Sequence, residues 1–175
     1  MHSFVSERNY AMHREWAERE ALRLSVLLKD VGEVGAPYAR VKLLCRRGKI
    51  GAEAPELYAS VALHRTFFDS FSPYCNLPSA YARSRFGSEA ALINSLYTMA
   101  LGQRCGFVAL VKTKEGARAV GSERCSDILE SGEPLLAIDV CEHAYYGDYG
   151  FGREEYVRRA LMHLDLARLE CAFQK

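Results

Sequence analysis

An apolar run, Pro134 to Val140 (PLLAIDV), closes on an aspartate, and His143 follows that aspartate four residues later. A short aliphatic run of this kind reads as a buried β-strand, which demands partner strands and a cover on both faces. A charged carboxylate at a buried strand end is costly unless it is paired or bound to metal. The nearby imidazole makes a metal economical, because both side chains suit a divalent or trivalent first-row ion. Taken alone, Asp139 and His143 read first as a hydrogen-bonded pair.

The rest of the chain supplies the partners. Residues from about Ser6 to Lys29 read as one long helix with Ser6 as its N-cap, and His13, Ala17, Ala21, Leu24 and Leu28 share one face of it. A glycine-rich break spans Asp30 to Pro37, and Tyr38 to Arg46 can add a helical turn or two. A second helix starts at Pro55 and carries Leu57, Ser60, Val61, His64, Phe68 and Phe71 on one face, until Ser72-Pro73 ends it. Tyr74 to Tyr81 reads as a linker, followed by a helix from about Glu89 to Leu101. The period then changes: Gly106 to Lys112 and Ala117 to Gly121 read as a hairpin around Lys114-Glu115-Gly116. Glu154 to Leu169 closes the chain as an amphipathic helix. A helical front half and a mixed back half with a small antiparallel sheet make an α+β pattern.

Bulk properties narrow the function classes. The 23 basic and 22 acidic side chains leave a formal charge of +1, which gives no global reason to expect nucleic acid. The local cluster Arg40, Lys42, Arg46, Arg47 and Lys49 reads as a solvated connector. No apolar run is long enough to span a bilayer. Met1 to Arg14 lacks the apolar middle of an export leader, so the expected compartment is the cytoplasm. The six cysteines form no CxxC pair, and in such a compartment they are expected as free thiols.

Two histidines join the Asp139/His143 pair as candidates. A lone histidine on an apolar helix face is usually a satisfied core residue. His13 and His64 both lie on inward-facing stripes, and with an Asp/His pair from the other half they form a three-histidine, one-carboxylate set. Such a set fits manganese or iron better than zinc.

Four stretches carry a resemblance. PLLAIDVCEHAYYGDYGFGREEYV is similar to the signature of the iron/manganese superoxide dismutases, where a strand end reading D-V-W-E-H-A-Y-Y gives its aspartate and histidine to the metal. The match implies Asp139 and His143 as ligands. LHRTFFDSFSP resembles the family's N-H-x-F-F/Y…L-x-P segment and implies His64, while VSERNYAMH resembles the start of its first helix and implies His13. GQRCGFVALVK resembles the Q-G-S-G-W-x-W-L-V strand start, where Gln103 would hydrogen-bond the metal-bound solvent, as in manganese-type members.

The resemblance implies a superoxide dismutase, converting superoxide to dioxygen and hydrogen peroxide with one manganese or iron ion per subunit. It implies an N-terminal helical hairpin lobe over 1–75 and a C-terminal lobe over 76–175, the latter with a three-stranded antiparallel sheet flanked by helices. It implies a homodimer paired through Glu142, His143 and Tyr146, with Gln103, Tyr146 and Glu142 supporting the chemistry. Neither nucleic acid nor a membrane is implied as a partner. Departures are concentrated around the ligands. Ala17 and Ala21 stand where the family's first helix carries a histidine and a tyrosine. Cys141, Phe107 and Ala109 replace tryptophans, and Leu63 replaces an asparagine. Outer groups of this kind tune affinity and potential. The alternative is therefore a catalytically weakened metal-binding or structural member of the same fold.

Overall fold

Helix α1 (Glu7–Lys29) starts where the Ser6 hydroxyl accepts the Asn9 N–H at 3.1 Å, the N-cap its sequence predicts. The computed structural model describes residues 4–74 and 78–173. A turn leads to the short α2 (Tyr38–Arg46) and then to α3 (Ala54–Asp69), which has proline in its first turn. Leu24 and Leu28 of α1, Val41 and Leu44 of α2, and Leu57 and Val61 of α3 bury one another in a small cluster at this end of the molecule.

The second half opens with α4 (Ala80–Phe86) and α5 (Glu89–Gly102), capped by the hydroxyls of Ser79 and Ser88. Three strands follow: β1 (Phe107–Thr113), β2 (Gly116–Ser122) and β3 (Glu133–Asp139), with α6 (Cys125–Ser131) between the last two. The sheet is antiparallel throughout in the order β2-β1-β3. Central β1 is buried from Phe107 to Val111, which explains its continuous apolar run. Helices α7 (Glu142–Tyr149), α8 (Arg153–Met162) and α9 (Ala167–Phe173) complete the chain. The main core joins Phe67 of α3, Leu92 and Leu96 of α5, the inner residues of β1 and β3, and Tyr156 and Val157 of α8. The expected α+β architecture with a small three-stranded antiparallel sheet is thus observed.

Several expectations change. The linker read over 74–81 ends earlier, because Ala80 already begins α4; its residues 75–77 lie outside the described residues. Helix α6 falls between the two strand signals and had no periodic pattern long enough to announce it. The single closing helix read over 154–169 is two helices, because the intervening segment pairs with the end of α3. Ser72 N–H donates to the His163 carbonyl at 2.8 Å, and Asp165 N–H donates to the Ser70 carbonyl at 2.8 Å. Those long-range bonds take backbone groups that a continuous helix would have used. Finally, Cys105 and Cys141 are joined in a disulfide, so the expectation of free thiols fails for that pair; Cys45, Cys125 and Cys171 are free.

The basic cluster is partly spent on ion pairs, with Arg40 on Glu33 and Lys42 on Glu130. Among the described residues no helix is long and apolar enough to cross a membrane. Glu56 of α3 ties the halves together, its carboxylate accepting the Cys125 N–H at 2.6 Å and the Ser126 N–H at 3.0 Å at the start of α6. Glu56→Ala strands both donors and is expected to cost about 1–2 kcal/mol, the range of a lost helix cap. Thermal unfolding of the variant checks this.

Candidate metal centre

Asp139 is the last residue of β3 and is fully buried, paired in register with Phe107 of β1. Its backbone carbonyl accepts the buried Tyr156 hydroxyl at 2.8 Å, and its Oδ1 accepts the Cys141 N–H at 2.8 Å. The other oxygen, Oδ2, faces three imidazoles. His143 Nε2 stands 2.8 Å away, His13 Nε2 3.1 Å and His64 Nε2 3.4 Å. One donor atom from each of the four residues fits within 4.8 Å of the others, and His64 and His143 Nε2 are 3.4 Å apart. His13 and His64 are each 2% exposed, so water does not solvate them.

Each element has a reason to deliver its side chain there. The Asn9 side-chain amide donates to the Ala144 carbonyl at 2.6 Å, and Ser6 donates from its N–H and its hydroxyl to Asp148, both at 2.6 Å. These bonds seat the first turn of α1 on α7. Gly147 permits the close approach, since a Cβ there would lie 2.6 Å from Asn9 Oδ1. Phe67 and Phe68 pack against His13 with ring centroids 4.7 and 5.1 Å away, and Phe107 packs edge-on to His64 at 5.2 Å.

The electrostatics suit a cation. Burial alone would raise the Asp139 carboxyl, but the His143 charge and hydrogen bonds from His13, His143 and His64 hold it well below the usual carboxylate range. Burial pushes His13 down despite Asp139, whereas the Asp139 carboxylate, the Ser60 carbonyl and Glu20 outweigh burial at His64 and raise it. Three imidazoles turned on one carboxylate oxygen cannot all be protonated at this spacing without strong mutual repulsion. The four donors lie close enough together to be shared by a single first-row ion, and the donor set fits manganese or iron. In the metal-free chain the depressed Asp139 carboxyl adds stability above the ordinary carboxylate pKa. That contribution is lost as pH falls through the lower folded value, so acid unfolding is expected to steepen below about pH 4. Urea unfolding across pH tests this, with Asp139→Asn losing the dependence.

Several neighbours were not visible in the sequence reading. Trp16, the chain's single tryptophan, stacks on His143 with centroids 5.0 Å apart and planes 16° apart. Its position three residues after His13 on a helix was the available clue. Ser60 and Glu20 hold the far side of His64. Nδ1 lies 2.9 Å from the Ser60 carbonyl and 3.5 Å from Glu20 Oε2, and the Ser60 hydroxyl donates to that same Oε2 at 2.6 Å. These bonds favour a proton on Nδ1 and leave Nε2 as the nitrogen that faces the centre.

The remaining sequence candidates are Gln103, Glu142 and Tyr146. Gln103 caps the end of α5, and its side-chain amide rests against Gly121 of β2. Glu142 and Tyr146 are exposed on α7, with Tyr146 edge-on to the exposed Phe151 at 5.6 Å. Arg153 donates to the carbonyls of Arg104 and Leu101, pinning the segment that carries Gln103.

Fold and site together define an α+β protein whose helices and small sheet converge three histidines and one aspartate, a set able to hold a metal ion. Residues 79–171 match the family of iron/manganese superoxide dismutases, C-terminal domain. The chain belongs to the iron/manganese superoxide dismutase family. It is 32% identical over 133 residues to an iron superoxide dismutase of Cupriavidus metallidurans, covering 70% of this chain and 67% of that protein. It is also 32% identical over 98 residues to a manganese/iron superoxide dismutase of Rickettsia bellii, covering 55% of this chain and 39% of that protein. The aligned part thus spans about two-thirds of the first relative and about two-fifths of the second.

Proposed function

We propose that this chain disproportionates superoxide to dioxygen and hydrogen peroxide at one manganese or iron ion per subunit, held by His13, His64, Asp139 and His143. The observation that carries this reading is the convergence of three Nε2 atoms, 2.8–3.4 Å away, on one buried carboxylate oxygen. Held by these four residues, a manganese or iron ion would supply the one-electron redox chemistry that disproportionation needs. The Asp139 carboxylate offsets the charge of the site, and His64 is fixed in its Nδ1–H form by Ser60. Gln103 orients solvent at the centre in this reading, and Tyr146 and Glu142 serve it from across a homodimer contact. The half-buried His143, the exposed Tyr146 and Phe151, and the half-exposed Trp16 beside them are the kind of apolar surface that a second subunit would cover. The lobes are read as 1–75 and 76–175, a division supported by the C-terminal-domain match over 79–171. The cytoplasm is the proposed compartment, checked by fractionating the native host.

Metal analysis of the purified protein, paired with a superoxide-removal assay and sizing in solution, tests the proposal. A chain that binds no manganese or iron would end it. A loaded but inactive chain would establish the second reading, a weakened metal-binding member. One observation favours that second reading. Ala17 and Ala21 leave a cavity of about 210 Å³ beside His64, lined also by Val61, Arg65 and Phe68. Ala21→Tyr fills this space and restores a hydroxyl near the centre. It is expected to change turnover at high superoxide flux more than at low flux, measured by pulsed superoxide decay.

A further inference from the structure

The Cys105–Cys141 disulfide sits against the candidate metal centre. Cys141 lies two residues after Asp139 and two before His143, and it forms the N-cap of the helix that carries His143. Its N–H is the donor to Asp139 Oδ1. Cys105 lies in the segment between α5 and β1, two residues after Gln103. Two further bonds run alongside the bridge: Val140 N–H donates to the Gly106 carbonyl at 3.0 Å, and Gly106 N–H approaches Cys141 Sγ at 2.8 Å. The bridge therefore staples the end of β3, where the carboxylate is set, to the α5–β1 segment.

We propose that Cys105 and Cys141 form a peroxide-addressed thiol–disulfide site whose oxidised form fixes the orientation of Asp139 and slows metal loss. The metal part rests on the function proposed above, which also supplies the oxidant. Exposure sets the order of events, because Cys105 is half-buried and Cys141 is buried. The Cys105 thiolate attacks hydrogen peroxide; the O–O bond breaks, a sulfenic acid forms, and hydroxide leaves to become water with one proton. The Cys141 thiolate then attacks that sulfur. The S–O bond breaks, the S–S bond forms, and a second water leaves with one more proton. Two electrons have passed from the sulfurs to the peroxide. Reversal needs a dithiol: one of its thiolates attacks Cys105 Sγ and frees the Cys141 thiol, then its second thiol closes a new disulfide and frees Cys105.

Reduction removes the covalent tie while leaving every metal-facing side chain in the sequence. The Cys141 N–H then moves with a free helix start, and Asp139 Oδ1 loses a fixed donor. The loss resembles that of an outer partner to a ligand, so metal release to a chelator is expected to accelerate about tenfold.

The experiment uses the whole chain purified without reductant and loaded with manganese. Cysteine peptides are mapped by alkylation and mass spectrometry before dithiol treatment, after it, and after adding peroxide back. Amide exchange of residues 139–144 and manganese release to a chelator are followed in each state. The expected result is a 105–141 cross-link that dithiol opens and peroxide restores. Faster exchange and faster metal release should accompany only the open state. Cys105→Ser, a half-buried change that spares the α7 N-cap, should behave as the open state with or without dithiol. Two results would overturn the proposal: both thiols free after peroxide, or a cross-link whose opening changes neither exchange nor release. A chain that binds no manganese yet loosens at 139–144 on reduction would refute the metal reading and leave the thiol site standing.

Discussion

Asp139→Asn is expected to leave the protein without retained manganese or iron. The carboxylate is the only anion among the four converging side chains, and it is the atom toward which all three imidazoles turn. An amide of the same shape keeps the packing and can keep the Cys141 N–H bond, but it carries no charge to set against the ion. The loss should far exceed the ~10–100-fold that removing a group behind a ligand costs. Ser60→Ala supplies that comparison, since it deletes the hydroxyl behind His64 and keeps the backbone carbonyl that holds Nδ1. Metal content after dialysis separates the two variants. Trp16 offers a second readout, because the single tryptophan lies on His143 and its fluorescence should respond to loading. Stoichiometric metal in the asparagine variant would refute the assignment of Asp139.

Phe67→Ala is expected to give the largest loss of stability. Phe67 is 1% exposed and packs its ring on Phe71 at 5.1 Å, on Phe68 at 5.3 Å and on His13 at 4.7 Å. Truncation removes buried apolar surface and leaves a cavity between α3 and the inner face of α1. The cost is about 3–5 kcal/mol, or a fall in Tm of about 6–20 °C for a domain of this size. Because His13 loses a wall of its socket, metal affinity should fall as well. Thermal unfolding of metal-free and metal-loaded protein checks both effects. A variant that melts within a degree or two of the parent would show that the core collapses around the gap without penalty.

Much of the architecture was legible along the chain because its signals are local. Ser6 announces the start of α1, Pro55 that of α3, and the aliphatic run ending in Asp139 announces β3. The candidate residues were legible for a similar reason: His13 and His64 lie on the apolar stripes of their helices, and Asp139 and His143 stand together in sequence. What stayed hidden depended on contacts between distant residues. The closing helix splits because Ser72 and Asp165 make backbone bonds between the end of α3 and the C-terminal segment. Glu20 reads as one more charge on an exposed helix until α3 brings Ser60 within 2.6 Å of it.

The disulfide marks the boundary most sharply. Composition and spacing pointed to unpaired thiols, since Cys105 and Cys141 are separated by 36 residues and form no recognisable motif. Pairing required β1 and β3 to lie side by side, so that the residues just before one strand and just after the other meet. Periodicity reports which way a side chain faces on its own element, and that was enough to nominate four donors. Whether they meet, and what stands behind each of them, is a matter of distance across the core, set only when helices and sheet pack together.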